Sequence, residues 1–331
     1  MTTAATGIGS MPGDDARAYD EALRVVLGEV PDLVFLPELP GRGAGAHLTG
    51  RGLAVAEGLG ADVQPAGWRL TDAVGADLRR ARSLLAQDLD ALEEQTQGYA
   101  GTLKVQVAGP WTLAATVEKP RGDKVLADHG ARRDLAQALA EGVRAHVADV
   151  RRRVPGAARL VVQVDEPALV AVLGAGVPTA SGFGRHRAVH PPEASAALGW
   201  VLDAIAGAGA EPWVHACAAG TPLDLLRGAG ASGLAVDLDQ VTAAGHDHLA
   251  EALESGGTVA LGVVPTTEPG AVPSDGDVAE RVLRWFDMLG LDPGALPGEV
   301  VVTPACGLAG ATPGWARRAL ETSRRAAGHL S

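Results

Sequence analysis

An α/β barrel of eight parallel strands, the (β/α)8 or TIM barrel, is the fold class that this sequence predicts. Three observations carry it: eight short apolar runs separated by helical segments, a length of 331 residues that suits one large barrel, and polar residues gathered where the runs end. The runs are 5–9, 33–36, 103–107, 160–164, 213–217, 234–238, 259–264 and 300–303. None alternates polar and apolar residues over a long stretch, which is the pattern of strands covered on both faces. The run at 5–9 is the least strand-like. Segments 72–97, 131–153, 194–208, 246–255, 277–289 and 313–327 place apolar residues three and four apart, the spacing of amphipathic helices. Strands alternating with helices imply βαβ units, and a doubly wound open sheet is the alternative way to stack them. No break in composition marks a boundary, so residues 1–331 are expected to form a single barrel domain.

Composition narrows the partners. The chain is 47% hydrophobic but only 3% aromatic, so its core must be built from Ala, Val and Leu. A net charge of −12 repels phosphate backbones and anionic headgroups, which argues against nucleic acid and membrane partners. There is no apolar run of about 18 residues, and Met1 to Asp15 lack the basic and apolar stretches of a secretory leader. A cytoplasmic location is expected. There, the two cysteines, Cys217 and Cys306, are poor candidates for a structural disulfide.

The ends of the runs read Gly-Ser-Met-Pro (9–12), Pro-Glu-Leu-Pro (37–40), Gly-Pro-Trp (109–111), Asp-Glu-Pro (165–167), His-Ala-Cys (215–217), Asp-Leu-Asp (237–239), Val-Pro-Thr-Thr (264–267) and Pro-Ala-Cys-Gly (304–307). A barrel collects the C-terminal ends of its strands around one mouth, where its active site lies. His215 and Cys217, two apart, share one side of a strand. Cys306 ends the last run, and Asp237 and Asp239 end the run after His215. Two thiolates, an imidazole and a carboxylate make a tetrahedral zinc set. With two thiolates and a carboxylate the set is electron-rich, so it suits alkyl transfer to a bound sulfur better than water activation. Free cysteines are also commonly small buried hydrophobes, and that reading stands beside the metal one.

These residues resemble the catalytic domain of the cobalamin-independent methionine synthases, within the uroporphyrinogen decarboxylase-like barrels. The resemblance covers most of the chain and is to a short core form without the additional N-terminal barrel of the long enzymes. It implies a methyltransferase that moves a methyl group to the thiol of homocysteine, with zinc held by His215, Cys217, Cys306 and an acidic residue. That residue is Glu in the family and Asp237 here, with Asp239 as the fallback. It also implies that Ile8, Gly9 and Ser10, in Ile-Gly-Ser-Met-Pro, hold the amino-acid carboxylate. Glu38 and Asp165 would then hold the ammonium.

Two departures bear on the methyl donor. The family places a proton-donating His after the seventh strand, where this chain reads Gly262-Val263-Val264-Pro265-Thr266-Thr267. It places a folate-stacking Trp after a Gly-Pro-Val-Thr stretch, where Gly109-Pro110-Trp111-Thr112 is followed by Leu113-Ala114-Ala115-Thr116. Methyltetrahydrofolate needs its leaving nitrogen protonated, whereas a methyl-corrinoid does not. The expected donor is therefore a methyl-corrinoid, on a corrinoid carrier protein as partner. The rival readings are an enzyme of the same barrel acting on another small thiol, such as a coenzyme M-type methyltransferase, and a non-catalytic zinc- or thiol-binding relative. Arg42, Arg69, His47, His186, His190, His246 and His248 are expected at the surface or in loops.

Overall fold

The computed structural model describes residues 3–296 and 298–330. In chain order the elements are β1 (Ala4–Ala5), α1 (Ala16–Glu29), β2 (Leu33–Phe35), α2 (Leu48–Val55), β3 (Gly60–Gln64), β4 (Gly67–Thr71), α3 (Ala76–Gln95), β5 (Thr102–Ala108), α4 (Pro110–Thr116), α5 (His129–Arg153), β6 (Arg159–Asp165), α6 (Leu169–Leu173), α7 (Pro191–Gly207), β7 (Glu211–His215), α8 (Leu223–Gly228), β8 (Gly233–Asp237), α9 (Ala243–Glu254), β9 (Thr258–Val264), α10 (Asp275–Leu289), β10 (Glu299–Pro304) and α11 (Pro313–His329). Eight strands form one parallel sheet in the order β1-β10-β9-β8-β7-β6-β5-β2. The two edge strands, β1 and β2, meet through a parallel bridge between Ser10 and Glu38, and this rolls the sheet into a (β/α)8 barrel rather than an open doubly wound sheet.

Of the run at 5–9 only Ala5 pairs in the ladder, against Val302, with Ala4 before it against Val301. Beyond them the chain passes close over β2, where a Cβ on Gly7 would lie 2.5 Å from the Phe35 ring. The six expected helices are present. The sequence reading missed α1, although Tyr19, Ala22, Leu23 and Val26 form its buried stripe and the Asp15 carboxylate caps it by accepting the Ala18 N–H at 2.7 Å. Helices α2, α4, α6 and α8 run for only 5–8 residues, too short to show a period. Also unanticipated is the antiparallel hairpin of β3 and β4, whose alternation is brief but buries Ala61 and Trp68.

Two layers of apolar side chains fill the molecule. The larger lies between sheet and helices. The smaller, of Ile8, Leu33, Val161, Trp213, Ala235, Ala260 and Val301, packs together apart from it as the barrel's own filling. On β5 and β6 alternating positions are polar, with Lys104 level with Val161 and then Gln106, Gln163 and Asp165 above, all buried. At the opposite end of the strands Arg159 ties Glu211, at 2.8 Å, to Glu299, at 3.1 Å.

His146 lies on the buried side of α5. Burial, with the Arg51 cation adding to it, holds its pKa down to about 4. The unfolded chain therefore takes up a proton as pH falls below about 6.5, while the folded chain resists until about 4. Stability from this group is complete above pH 6.5 and is lost on acidification, by on the order of 3 kcal/mol across that window. Urea denaturation from pH 7 to 4 is expected to show this slope and His146→Leu to flatten it; equal slopes would assign the acid sensitivity elsewhere.

Candidate active site

The mouth of the barrel is built from strand ends. β7 delivers His215, the residue after next is Cys217, and the turn leaving β10 carries Cys306. The ligand atoms of these three side chains lie within 4.8 Å of one another. Cys217 Sγ is 3.1 Å from Cys306 Sγ, and Cys306 Sγ is 3.6 Å from His215 Nε2. The sulfur separation exceeds the ~2.05 Å of a disulfide bond, and both thiols are free. His215 Nδ1 lies 3.1 Å from the Ala235 carbonyl oxygen. Since a carbonyl only accepts, Nδ1 carries the proton, and the lone pair of Nε2 faces the sulfurs. One imidazole and two thiols with a fixed tautomer fit a borderline-soft divalent cation such as zinc.

The sulfurs are electrostatically unlike. Cys217 is pulled below the ordinary thiol value by its hydrogen bond with Cys306, whereas that bond and burial push Cys306 up to about 12. Burial lowers the His215 pKa, but its contacts with Cys306 and Asp165 outweigh this and leave it raised.

Asp237, expected as the fourth metal ligand, stands outside this group. β8 ends at Asp237 and the chain turns at once into a 3-10 helix, whose first turn the Asp237 carboxylate caps by accepting the Asp239 N–H at 3.0 Å. Asp239 is exposed and pairs with Arg281 at 2.5 Å. The fallback ligand is therefore also engaged elsewhere.

The amino-acid end of the expected site does assemble. Ile8, Gly9, Ser10, Glu38 and Asp165 line one cavity of ≈330 Å3 together with His215, Cys217, Cys306 and Gly307. The turn at 9–11 is clamped from two sides. Glu38 N–H donates to Gly9 O at 3.0 Å, Met11 N–H donates to Glu38 O at 2.8 Å, and Leu308 N–H donates to Ser10 O at 2.8 Å. A Cβ at position 307 would sit 2.0 Å from Ser10 Oγ, so any side chain there would force the Ser10 hydroxyl to turn away. Asp165 and His215 are register partners on neighbouring strands. Burial pushes Asp165 up to about 6, with the Glu38 charge adding to it. Burial likewise raises Glu38, although Arg51 pulls it back.

Behind the cavity lies machinery the sequence reading missed. Lys104, fully buried, donates to Ile8 O at 2.8 Å and to Gln163 Oε1 at 2.7 Å. Gln163 Nε2 in turn donates to Ile8 O at 2.9 Å and to Asp165 Oδ1 at 2.7 Å. One buried cation thus fixes both the first-strand loop and the Asp165 carboxylate. Burial brings Lys104 down to about 7. The available signal was polar residues at a spacing of two, Lys104 with Gln106 and Gln163 with Asp165, inside apolar runs. Glu38 is held by Arg51 Nε at 3.0 Å, and Arg51 continues to Asp88 at 2.6 Å. Arg42 grips both Asp88 oxygens, at 2.7 and 2.8 Å, and lies over the Tyr19 ring at 4.6 Å.

Arg42 was expected in water, but its side chain is only 7% exposed because Asp88 needs the charge. Arg69 pairs with Glu118 at 2.5 Å and stays partly exposed. His186 is buried against Asp123 at 3.2 Å rather than exposed. His246 accepts from Trp285 Nε1 at 3.0 Å, and His248 lies 3.5 Å from Glu251, so neither joins a metal group. Glu166, in the Asp-Glu-Pro motif, caps α4 by accepting from Trp111 N, Thr112 N and Thr112 Oγ1 at 2.7–2.9 Å.

Among solved structures, a B12-independent methionine synthase from Shewanella sp. W3-18-1, in complex with selenomethionine, superposes with a TM-score of 0.64 at 14% identity, covering 100% of this chain and 98% of that one. The fold is thereby shared along the whole length. A D-tagatose 3-epimerase-like protein superposes more loosely, with a TM-score of 0.39 at 12% identity over 78% of this chain and 88% of that one. No curated protein matches the sequence. Residues 92–329, most of the chain and including all three clustered ligands, match the family described as "Cobalamin-independent synthase, Catalytic domain". This chain belongs to that family, the catalytic domain of the cobalamin-independent methionine synthases, and is a methyltransferase.

Proposed function

We propose that this protein methylates the thiol of homocysteine to give methionine, with a zinc ion held by His215, Cys217 and Cys306. The observation that carries this reading is the convergence of that imidazole and those two thiols with two buried carboxylates, Glu38 and Asp165, on one cavity. The metal end would take a thiol. The carboxylate end would take an ammonium, since a buried carboxylate calls for a cation. Homocysteine carries both groups on one short chain. Ser10 and the clamped backbone of Ile8 and Gly9 are assigned to its carboxylate. Zinc, when bound, stabilises the acceptor as a thiolate. Three protein ligands leave the fourth position of a tetrahedron for the substrate sulfur, as in other catalytic zinc sites. Asp237 is then assigned no contact with the metal, and its charge acts from outside. The barrel of residues 1–331 acts as one catalytic unit.

A methyl-corrinoid donor and a corrinoid carrier protein, expected from the altered donor motifs, find no support in a family described as cobalamin-independent. We assign the donor as a methylated amine of the methyltetrahydrofolate type. The experiment is metal analysis of the purified chain together with methionine formation from homocysteine, supplied separately with methyltetrahydrofolate and methylcobalamin. About one zinc per chain and methionine from the folate donor are expected. Methionine from methylcobalamin alone would return the donor assignment to the corrinoid. Methylation of coenzyme M but not homocysteine would overturn the acceptor, and no zinc would overturn the site.

A further inference from the structure

A methylated tertiary amine transfers its methyl group only if its nitrogen leaves protonated, and residues 262–267 provide no histidine to do this. The structure offers another source. His47 lines the same cavity as Ser10, Asp165 and Cys306. It stands at the N-terminus of α2, on the loop leaving β2 at the barrel mouth, with its side chain exposed. Its imidazole makes no hydrogen bond or ion pair with any described residue and does not cap the helix it precedes. The other ionisable groups lining the cavity already have partners: Glu38 has Arg51, Asp165 has Gln163, and His215, Cys217 and Cys306 have one another. Among the described residues, His47 is therefore the one titratable side chain on the cavity wall with nothing to hold, and it is exposed to water at the mouth.

We infer that His47 is the proton donor to the leaving nitrogen of the methyl donor. The inference rests on the proposed methylation of homocysteine and deepens it by supplying the group the sequence motif lacks. In the step, the sulfur of the acceptor forms a bond to the methyl carbon as the carbon–nitrogen bond breaks. The bonding pair stays on nitrogen, and the proton from the His47 imidazolium makes that nitrogen a neutral secondary amine. Neutral His47 regains a proton from water at the mouth, and the acceptor's thiol proton is lost to solvent when the thiol binds. The step needs no redox partner.

The test compares wild type, His47→Gln and His47→Ala with methyltetrahydrofolate and, separately, with methylcobalamin, whose cobalt leaves without a proton. General acids contribute roughly 10²–10⁴-fold. The folate-dependent kcat of both variants is expected to fall at least about 100-fold, with one zinc per chain retained. Added imidazole is expected to restore part of the His47→Ala rate, which a structural loss would not allow. Losses should be much smaller with methylcobalamin; where wild type does not use that donor, imidazole rescue decides alone. Folate turnover within threefold of wild type, equal losses with both donors, or no rescue would overturn the inference while leaving homocysteine methylation intact. Absence of methionine from wild type with either donor would instead remove the function on which it rests.

Discussion

Cys306→Ser is expected to empty the metal site while leaving the barrel folded. Serine keeps the shape of cysteine, but its hydroxyl stays protonated near neutral pH and is a poor partner for a borderline-soft cation. Cys306 sits between Cys217 Sγ at 3.1 Å and His215 Nε2 at 3.6 Å, so losing its sulfur removes the middle member of the set. The remaining two ligands would lie on one side of the ion. Zinc per chain should fall from about one to below about 0.1 in dialysed protein, and methionine formation should drop by a thousandfold or more, since metal binding and ligand ionisation are linked. Thermal unfolding should match that of metal-stripped wild type, because the Cys306 side chain is partly exposed and outside the apolar clusters. Metal analysis and circular dichroism on the same sample separate the two effects. A variant that keeps its zinc and its rate would reduce both cysteines to packing residues.

Arg51→Met is expected to produce the largest loss of stability among single changes near the site. Glu38, Arg51, Asp88 and Arg42 form a buried chain of alternating charge, two negative and two positive. Removing Arg51 leaves Asp88 its bidentate partner but strands Glu38, which is 4% exposed. Breaking a buried pair on one side costs roughly 3–5 kcal/mol. Burial already raises the Glu38 pKa, with Arg51 the main opposing influence, so losing Arg51 should shift the stranded carboxyl further towards its neutral form. A neutral carboxyl no longer balances an ammonium, and the KM for homocysteine should rise at least tenfold. Urea denaturation and steady-state kinetics test both halves. Unchanged stability would mean that water replaces the guanidinium. An unchanged KM would mean that Asp165 alone holds the amine.

The parts of this molecule that were legible in its sequence are those that repeat or carry rare chemistry. Strands such as Arg159–Asp165 and helices such as Pro313–His329 announce themselves by apolar period. His215, Cys217 and Cys306 stand out because the chain has so few thiols and each lies at a strand end. Asp237 was read as a ligand from its strand-end position and from the family resemblance; nothing in Asp-Leu-Asp shows that the backbone turns there and uses the carboxylate as a cap. Arg42 and Arg51 lie in Gly-rich stretches that look like exposed loop, yet the partner that buries them, Asp88, is 46 and 37 residues away on α3. Lys104 was hidden for a similar reason: a lysine in an apolar run reads as an edge until the barrel closes around it. Pairings across such distances are set by three-dimensional closure and leave no local pattern.

The joint between β1 and β2 divides the molecule mechanically. From β5 round to β10 the strands are laced by continuous ladders, and the clustered imidazole and thiols are anchored on that stretch. Between β1 and β2 the described lacing is one bridge at the rim, Ser10 to Glu38, and one side-chain hydrogen bond below it, from the Thr6 hydroxyl to Leu33 O at 2.9 Å. The barrel is thus a stiff hoop with a single clasp. Ser10 and Glu38 are themselves the clasp, so an amino acid lying against both would fasten it, while the clustered imidazole and thiols hang from the laced strands. Yielding and rigidity are assigned to opposite sides of one cavity, and a gripping hand and a fixed anvil can share it without disturbing each other.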